Sequence, residues 1–444
     1  MPPMRTFSID TLGCKVNQYE TQQIREYLEQ LGLRAARDSE PVDLAVINTC
    51  CVTHTASSKS RQYITRAKRD NPDAVVVVCG CLPTVPTDEL DTTSNDLEIV
   101  TNKDGLAAAL LRIVEEKNHA AHVAERALPS LTSFEGQTRA FLKVQDGCDG
   151  YCTYCIVSQT RPVLRSKPLE EVLKEAAALV AAGHKEIVLT GVFLGAYGLP
   201  TVRRRKWPSP QNGHLPNLLD HLTQTPGLAR IRLSSLEPAD VTDELLDVFC
   251  RHDNIMPHLH LPLQSGSNRI LKKMCRQYTA EEFAGRIGLA RCRLDRPAIT
   301  TDIIVGFPGE TKADFQQTLD LARQAGFAKI HVFPFSTRKN TPAERLPGHL
   351  DPKTIKSRAQ TLTNLGQKLA HQFRQQFIGE KANVLIEAEG KTPSGRAERY
   401  FTVQIENTPA TINKNDIVTT TLTANTREGM SGSVEQAPAG RPSI

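Results

Sequence analysis

The chain has 444 residues, 39% of them hydrophobic and 23% charged, which is the composition of a globular protein too long for one ordinary core; about two or three domains are expected. No apolar run reaches the roughly 18 residues that a membrane-spanning helix needs, and Met1–Asp10 shows no apolar stretch after its single arginine, so neither a membrane partner nor a secretory signal is expected and the cytoplasm is the expected compartment. The net charge of +5 is too small to identify a nucleic-acid partner by itself, and eleven cysteines in a reducing compartment point to metal or redox chemistry more than to a disulfide framework.

The first 120 or so residues alternate between strand and helix patterns, which favours a parallel α/β sheet. Arg5 to Leu12 reads as a strand running into Gly13-Cys14, and Asn17 to Leu31 as a helix with Ile24, Tyr27, Leu28 and Leu31 at helical spacing. Val42 to Asn48 reads as a short buried strand ending at Asn48-Thr49-Cys50. Ser57 to Arg69 reads as a basic helix, and Ala74 to Val78 as a strand followed by Gly80-Cys81. Cys14, Cys50 and Cys81 therefore each fall just past the C-terminal end of an expected strand. In an open parallel sheet those ends face one crevice, where ligands bind, so three thiols far apart in sequence are expected to converge. Cys51 and Cys79 stand close by in sequence, which makes the choice of Cys50 and Cys81 within the trio a second, separate step.

Residues 119–137, with Pro129, Ser130 and Ser133 and no strong periodicity, read as a linker. Strands are then expected at 140–146, 186–191, 230–235, 258–263, 298–306 and 329–335. Helices fit between them, among others over Leu169–Ala182, Thr242–Cys250, Ala280–Arg291 and Lys312–Gln324. Six such units suggest a partial (β/α)6 barrel with its chemistry at the C-terminal ends of the strands. The stretch after the first of these strands is Cys148-Asp149-Gly150-Tyr151-Cys152-Thr153-Tyr154-Cys155, with spacing C-x3-C-x2-C. Three thiolates in one tight loop can hold three corners of a [4Fe–4S] cluster and leave one iron open, whereas four would close it. A zinc site would need a fourth ligand, and none stands nearby at zinc-motif spacing. Leu199 to His214 reads as an insertion carrying the basic run Arg203-Arg204-Arg205-Lys206 and the only tryptophan, Trp207. It is either a surface loop or a contact for a nucleic-acid strand. Pro352 to Phe377 is mostly helical. Short strands at Ala382–Glu389, Tyr400–Ile405, Ile417–Thr423 and Ser431–Val434 then suggest a small barrel. The expected division is an N-terminal parallel α/β domain over 1–120, a central barrel over 138–374 and a C-terminal all-β barrel over 375–436. Basic clusters at Lys59 to Arg69, Arg203 to Lys206 and Arg291 to Arg296 make RNA or DNA a plausible partner when taken together.

The loop at Cys148, Cys152 and Cys155 resembles the radical SAM signature. That resemblance implies a [4Fe–4S] cluster whose open iron chelates S-adenosylmethionine, which is then cleaved to a 5′-deoxyadenosyl radical. It places Tyr154 beside the adenine. Thr11-Leu12-Gly13-Cys14-Lys15-Val16-Asn17, Asn48-Thr49-Cys50 and Gly80-Cys81 resemble the N-terminal domain of the methylthiotransferase family, and the C-terminal barrel resembles that family's TRAM domain. The resemblance implies a second [4Fe–4S] cluster on Cys14, Cys50 and Cys81, and a reaction that inserts sulfur at an unactivated C–H and places a methyl group on it. Such a carbon is beyond any side-chain acid or base, so a radical route and a sulfur source beside it are both needed. Gly191 to Gly198, Ser234-Ser235-Leu236-Glu237-Pro238 and Leu261 to Ser267 are most similar to the group acting on threonylcarbamoyladenosine. The sister groups act on isopentenyladenosine in tRNA and on an aspartate of a ribosomal protein. By the same resemblance Gly191, Glu237, Gln264 and Ile304 lie against the cofactor, and Asp302 precedes the last of these as either a cap or turn acid or part of the motif. After Cys155 the family reads Ile-Ile-Pro and then Arg-Gly, whereas this chain has Ile156-Val157-Ser158 and then Arg161-Pro162. The implied partners are the anticodon stem-loop of a tRNA, an electron donor and a sulfur donor, with the chain itself a monomer. An iron–sulfur RNA-binding sensor without turnover is the non-enzymatic alternative.

Overall fold

The computed structural model describes residues 3–37, 40–85, 97–119, 127–203, 213–406 and 412–434. Five parallel strands, β1 (Thr6–Thr11), β2 (Arg34–Ala35), β3 (Leu44–Thr49), β4 (Val75–Gly80) and β5 (Leu97–Ile99), form a sheet in the order β2-β1-β3-β4-β5. β3 is buried at all six positions, as a central strand covered on both faces must be. Helices α1 (Lys15–Gln30) and α3 (Leu106–Asn118) cover one face, where Ile24, Tyr27, Leu28, Leu106 and Leu110 pack on Phe7, Val46 and Val77. Helix α2 (His54–Asp70), capped by the Thr53 hydroxyl, covers the other, where Ile64 and Ala67 pack on Ala45, Ile47 and Val76. The three strands expected here form within a few residues of their expected bounds. β2, β5 and α3 are not among the expected elements: the two strands are too short to carry a period, whereas α3 has a readable helical pattern.

The segment expected as a linker is packed where it is described. Leu131 and Phe134 enter the core of the central barrel, and the amides of Thr132 and Ser133 donate to the Glu26 carboxylate at 3.0 Å. Beyond it run β6 (Ala140–Asp146), β7 (Arg165–Ser166), β8 (Glu186–Gly191), β9 (Arg230–Leu233), β10 (His258–His260), β11 (Ala298–Val305) and β12 (Lys329–Pro334). Six of these are parallel, and the short β7 runs antiparallel to β6. Single parallel bridges, Ile231 to Ile255 and Ser235 to His260, join the β9 side to the β10 side, so the barrel is a partial one, as expected. Its helices are α4 (Val157–Thr160), α5 (Leu169–Ala181), α6 (His214–Leu222), α7 (Asp243–Arg251), α8 (Asn268–Lys273), α9 (Ala280–Arg293), α10 (Lys312–Ala325) and α11 (Pro352–Gln375). Asp302 is neither a cap nor a turn residue but lies within β11.

The C-terminal strands β13 (Lys381–Ala388), β14 (Ser394–Arg396), β15 (Thr402–Glu406), β16 (Ile417–Asn425) and β17 (Met430–Ser433) close into a barrel, with β13 paired to β16. β14, only three residues long, is not among the expected strands. This small barrel stops the N-terminal end of the central one. Arg232, almost fully buried, pairs with buried Glu186 at 2.9 Å and donates to the Glu398 carbonyl at 2.9 Å. The Tyr400 ring stacks on His258 at 4.4 Å. Arg204 to Lys206 and Trp207 lie outside the described residues.

The N-terminal layer docks on β6 and β8 through α1. Glu20 on that helix meets Arg161 at 2.7 Å and Lys143 at 3.1 Å, and Arg161 also meets Asp146 at 2.7 Å. Burial pushes the pKa of both carboxylates up, but Lys143 and Arg161 outweigh it and hold each below its ordinary value. A group with a depressed folded pKa contributes its full stability above its unfolded pKa and loses it as pH falls through the folded one. The urea midpoint of the wild type should therefore fall as pH drops below about 5. Arg161→Met should lower stability at neutral pH by about 3–5 kcal/mol, because two buried carboxylates lose a partner, and should show a shallower acid slope in the same titration.

Candidate functional site

Both cysteine loops form where a strand meets a turn that only glycine can make. At the end of β6, Gly147 has φ +83°, and a Cβ there would sit 1.9 Å from the Val163 carbonyl oxygen. The turn releases Cys148, whose amide donates to the Arg161 carbonyl at 2.9 Å. The middle of the loop is pinned to α8 and the segment before α11: Thr153 donates from its amide to the Met274 carbonyl at 3.1 Å and from its hydroxyl to that of Lys273 at 2.9 Å, and its own carbonyl accepts from Ala343. The Cys148 sulfur accepts from the Gly150 amide and the Cys155 sulfur from that of Val157, each at 3.4 Å.

In the N-terminal layer, Thr11, Asn48 and Cys79 are neighbours across β1, β3 and β4. The residues that follow these strands consequently emerge side by side. Cys14 is the N-cap of α1. Gly13, at φ +109°, passes so close to Cys50 that a Cβ would lie 2.8 Å from the Cys50 Cβ. Asn17 ties the loops together by donating to the carbonyls of Leu12 (2.8 Å) and Thr49 (2.9 Å). The neighbouring cysteines sit in two different surroundings. Cys79 points into the core beside Val46 and Leu106, and the Cys51 thiol donates to the Cys81 carbonyl at 3.3 Å from a fully buried position. Cys250, Cys275 and Cys292 are exposed and belong to neither loop.

Burial pushes the thiols up, Cys50 and Cys148 to about 11 and Cys155 to about 12, and neighbouring thiols add to the rise in each trio. In this form those three thiols are neutral, and a bound metal would take the place of their protons. Neither trio has all three sulfurs within 4.8 Å of one another; among the described residues only His260, Asp302 and His331 reach that spacing. A single tetrahedral zinc, with bonds of about 2.3 Å, would hold its sulfurs closer than this. The wider spread suits a cluster in which each cysteine binds a separate iron.

The other expected site residues gather at the C-terminal mouth of the barrel. Tyr154 and Ile304 belong to one apolar group with Phe307 and Phe335. Gly191 ends β8 against Gln145, whose side chain would lie 3.1 Å from any added Cβ. Gln264, at φ +64°, accepts from the Ile304 amide at 2.9 Å and donates to the Asp302 carbonyl at 2.8 Å. Glu237 is ion-paired with Arg276, which also donates to the Cys152 sulfur at 3.1 Å and lies 3.3 Å from the Tyr154 hydroxyl. Arg276 was not expected, and nothing local marks it; its role comes from a contact 124 positions away in sequence. The near arm of the Leu199–His214 insertion folds onto the cysteine loop. The Thr201 hydroxyl and Val202 amide both donate to Asp149, and the Arg203 guanidinium lies 4.1 Å from the Tyr151 ring centre. The two cysteine loops also touch each other: Ile156, next to Cys155, packs with Cys51, Cys81 and Leu82.

Residues 6–102 match the family described as Uncharacterized protein family UPF0004, and residues 142–322 match the Radical SAM superfamily. The threonylcarbamoyladenosine tRNA methylthiotransferase MtaB of Bacillus subtilis (strain 168) is 37% identical over 426 residues, covering 93% of this chain and 92% of the relative. A tRNA-2-methylthio-N(6)-dimethylallyladenosine synthase of Zymomonas mobilis is 35% identical over 435 residues, covering 95% of each. Among solved structures, the radical S-adenosylmethionine methyltransferase TsrM from Kitasatospora setae, with cobalamin and a [4Fe–4S] cluster bound, aligns with a TM-score of 0.55 at 15% identity over 77% of each chain, a likeness of fold. With two cysteine loops meeting at one interface and relatives alike over nearly their whole length, the chain belongs to the methylthiotransferase family of radical S-adenosylmethionine enzymes, which work with S-adenosylmethionine and two [4Fe–4S] clusters.

Proposed function

We propose that the protein is a tRNA methylthiotransferase that replaces the C2 hydrogen of N6-threonylcarbamoyladenosine-37, beside the anticodon, with a methylthio group. The observation that carries this reading is the juxtaposition of two three-cysteine loops through Ile156 and Cys81, in a chain 37% identical to an MtaB enzyme along most of its length. Cys148, Cys152 and Cys155 hold one cluster, and Cys14, Cys50 and Cys81 the other. When bound, the two clusters and S-adenosylmethionine supply the hydrogen abstraction, the sulfur and the methyl group. The chain's own part is to hold them in register. Tyr154 and Ile304 offer an apolar slot to the adenine, Gly191 and the backbone of Gln264 let the cofactor approach closely, and Glu237, fixed by Arg276, faces its charged end. Removal of water from the site comes from the C-terminal barrel below and the N-terminal layer at the side.

The dimethylallyl substrate named for the Zymomonas relative is the second reading. The polar lining of the barrel interior, with Lys15, His260, Asp302 and His331, favours the threonylcarbamoyl group over that apolar one. Mass spectrometry of tRNA nucleosides from a strain lacking the gene should show loss of the methylthio form of threonylcarbamoyladenosine and its return on complementation. Its persistence, with no second enzyme present, would overturn the assignment. Anaerobic reconstitution should load about eight irons per chain. Cys14→Ala and Cys148→Ala should each retain about four, and simultaneous loss of both clusters from either variant would speak for one shared site.

A further inference from the structure

Below the mouth of the barrel its interior holds a second, polar layer. Along β11, Ile299, Ile303 and Val305 face the surrounding helices, which turns Thr300, Asp302 and Ile304 inward. At a rise of about 3.4 Å per residue, Asp302 lies roughly 7 Å below Ile304. Strand register places His260 beside Thr300 and His331 beside Asp302. His260 Nδ1 is 2.9 Å from the Thr300 hydroxyl, and its Nε2 is 3.3 Å from an Asp302 carboxylate oxygen. Ser234 from the end of β9 and Lys15 from the start of α1 complete a cavity of about 300 Å³, with Tyr400 on its wall.

Two features show that this cavity is shaped for a polar guest. Ser234 is 7% exposed, yet its hydroxyl has no hydrogen-bond partner, and neither does Nδ1 of buried His258. Burying such groups unpaired is unfavourable, and a polar guest would pair them. Charge decides which guest. Arg232 is balanced by Glu186 and Arg139 by Glu387, and Asp302 is shared with His260. The Lys15 ammonium has no hydrogen bond or ion pair to any described residue, and it acts electrostatically on His258, His331 and Tyr400. Lys15 is therefore the one cation lining the cavity that has no carboxylate partner among the described residues. His260, Asp302 and His331 offer three ligand atoms within 4.8 Å, as a divalent ion would need, but an unpaired ammonium in the same cavity repels one.

We infer that this cavity binds the threonine-derived arm of the substrate nucleoside, with Lys15 pairing with its carboxylate, Ser234 donating to it, and Asp302 accepting from its hydroxyl. The inference rests on the threonylcarbamoyladenosine reading above. It explains how the base is aimed: Lys15 follows Cys14 directly, so gripping the arm there draws the adenine between the two cysteine loops.

The test uses reconstituted holoenzyme and synthetic anticodon stem-loops that carry threonylcarbamoyladenosine, its carboxyl methyl ester, or dimethylallyladenosine. The wild type should prefer the acid over the ester about tenfold in kcat/KM, chiefly through KM, and in Lys15→Met that ratio should collapse towards one, with Lys15→Arg restoring part of it. Iron and sulfide per chain are measured in each variant. Should Lys15→Met lose iron, Ser234→Ala, just past the end of β9 and away from both cysteine loops, should still reduce the ratio at wild-type iron content. A wild type that treats acid and ester alike, or variants that keep the full preference, overturns the inference while leaving the nucleoside assignment standing. Turnover of the dimethylallyl stem-loop alone overturns the assignment itself. A stoichiometric divalent ion retained by the wild type and released by His331→Phe overturns the inference in favour of a metal site.

Discussion

The buried guanidinium of Arg161 is the contact on which the two halves of the site depend. It pairs with Glu20 of the N-terminal layer and Asp146 at the end of β6, and lies 3.3 Å from the Asn17 carboxamide oxygen. Asn17 in turn ties the strand ends that carry Cys14 and Cys50, while the Arg161 carbonyl accepts the Cys148 amide. One side chain therefore sets the distance between two cysteine loops that belong to different sheets. Its net worth to stability is modest, since desolvating three charges costs nearly what their attraction returns. Its worth to geometry is greater, because apolar packing would not specify direction. The chain keeps this arginine but follows it with Pro162. With proline after Arg161, the Cys148 amide still reaches the Arg161 carbonyl at 2.9 Å.

The central barrel is organised in layers along its axis. At the base, Arg232, Glu186 and the Tyr400–His258 stack join it to the C-terminal barrel. At the mouth, Tyr154, Ile304, Gly191 and the Arg276–Glu237 pair surround the cysteine loop. Between them lies the histidine-rich layer with Lys15 at its open side. Part of the small barrel's contribution is thus to stop the base of the lumen.

Local pattern made the architecture legible. Alternation of strand and helix marked the parallel sheets, and Val42 to Asn48 announced a buried central strand because such a strand must be apolar on both faces. Cys148, Cys152 and Cys155 could be read together because a short loop confines them whatever the rest of the chain does. The convergence of Cys14, Cys50 and Cys81 was also readable, because the C-terminal ends of parallel strands share one edge. By contrast β2, β5 and β14 are two or three residues long and hold their places through pairing alone.

Local pattern was enough for the cysteine loops, the strand ends that carry them and hence the class of chemistry, since these depend on contacts within a few residues or on the regular geometry of a sheet. Packing between elements set the surroundings of the neighbouring cysteines: Cys79 faces inward through the alternation of β4, and Cys51 donates to the Cys81 carbonyl. Packing alone joined Arg276 to Cys152, placed Asp302 within β11 where a cap or turn acid had been one of two readings, and set Lys15 in one cavity with His260 and His331. These are meetings of side chains from separate strands and sheets. Their geometry is fixed by register and by the docking of one layer on another, which no local pattern records.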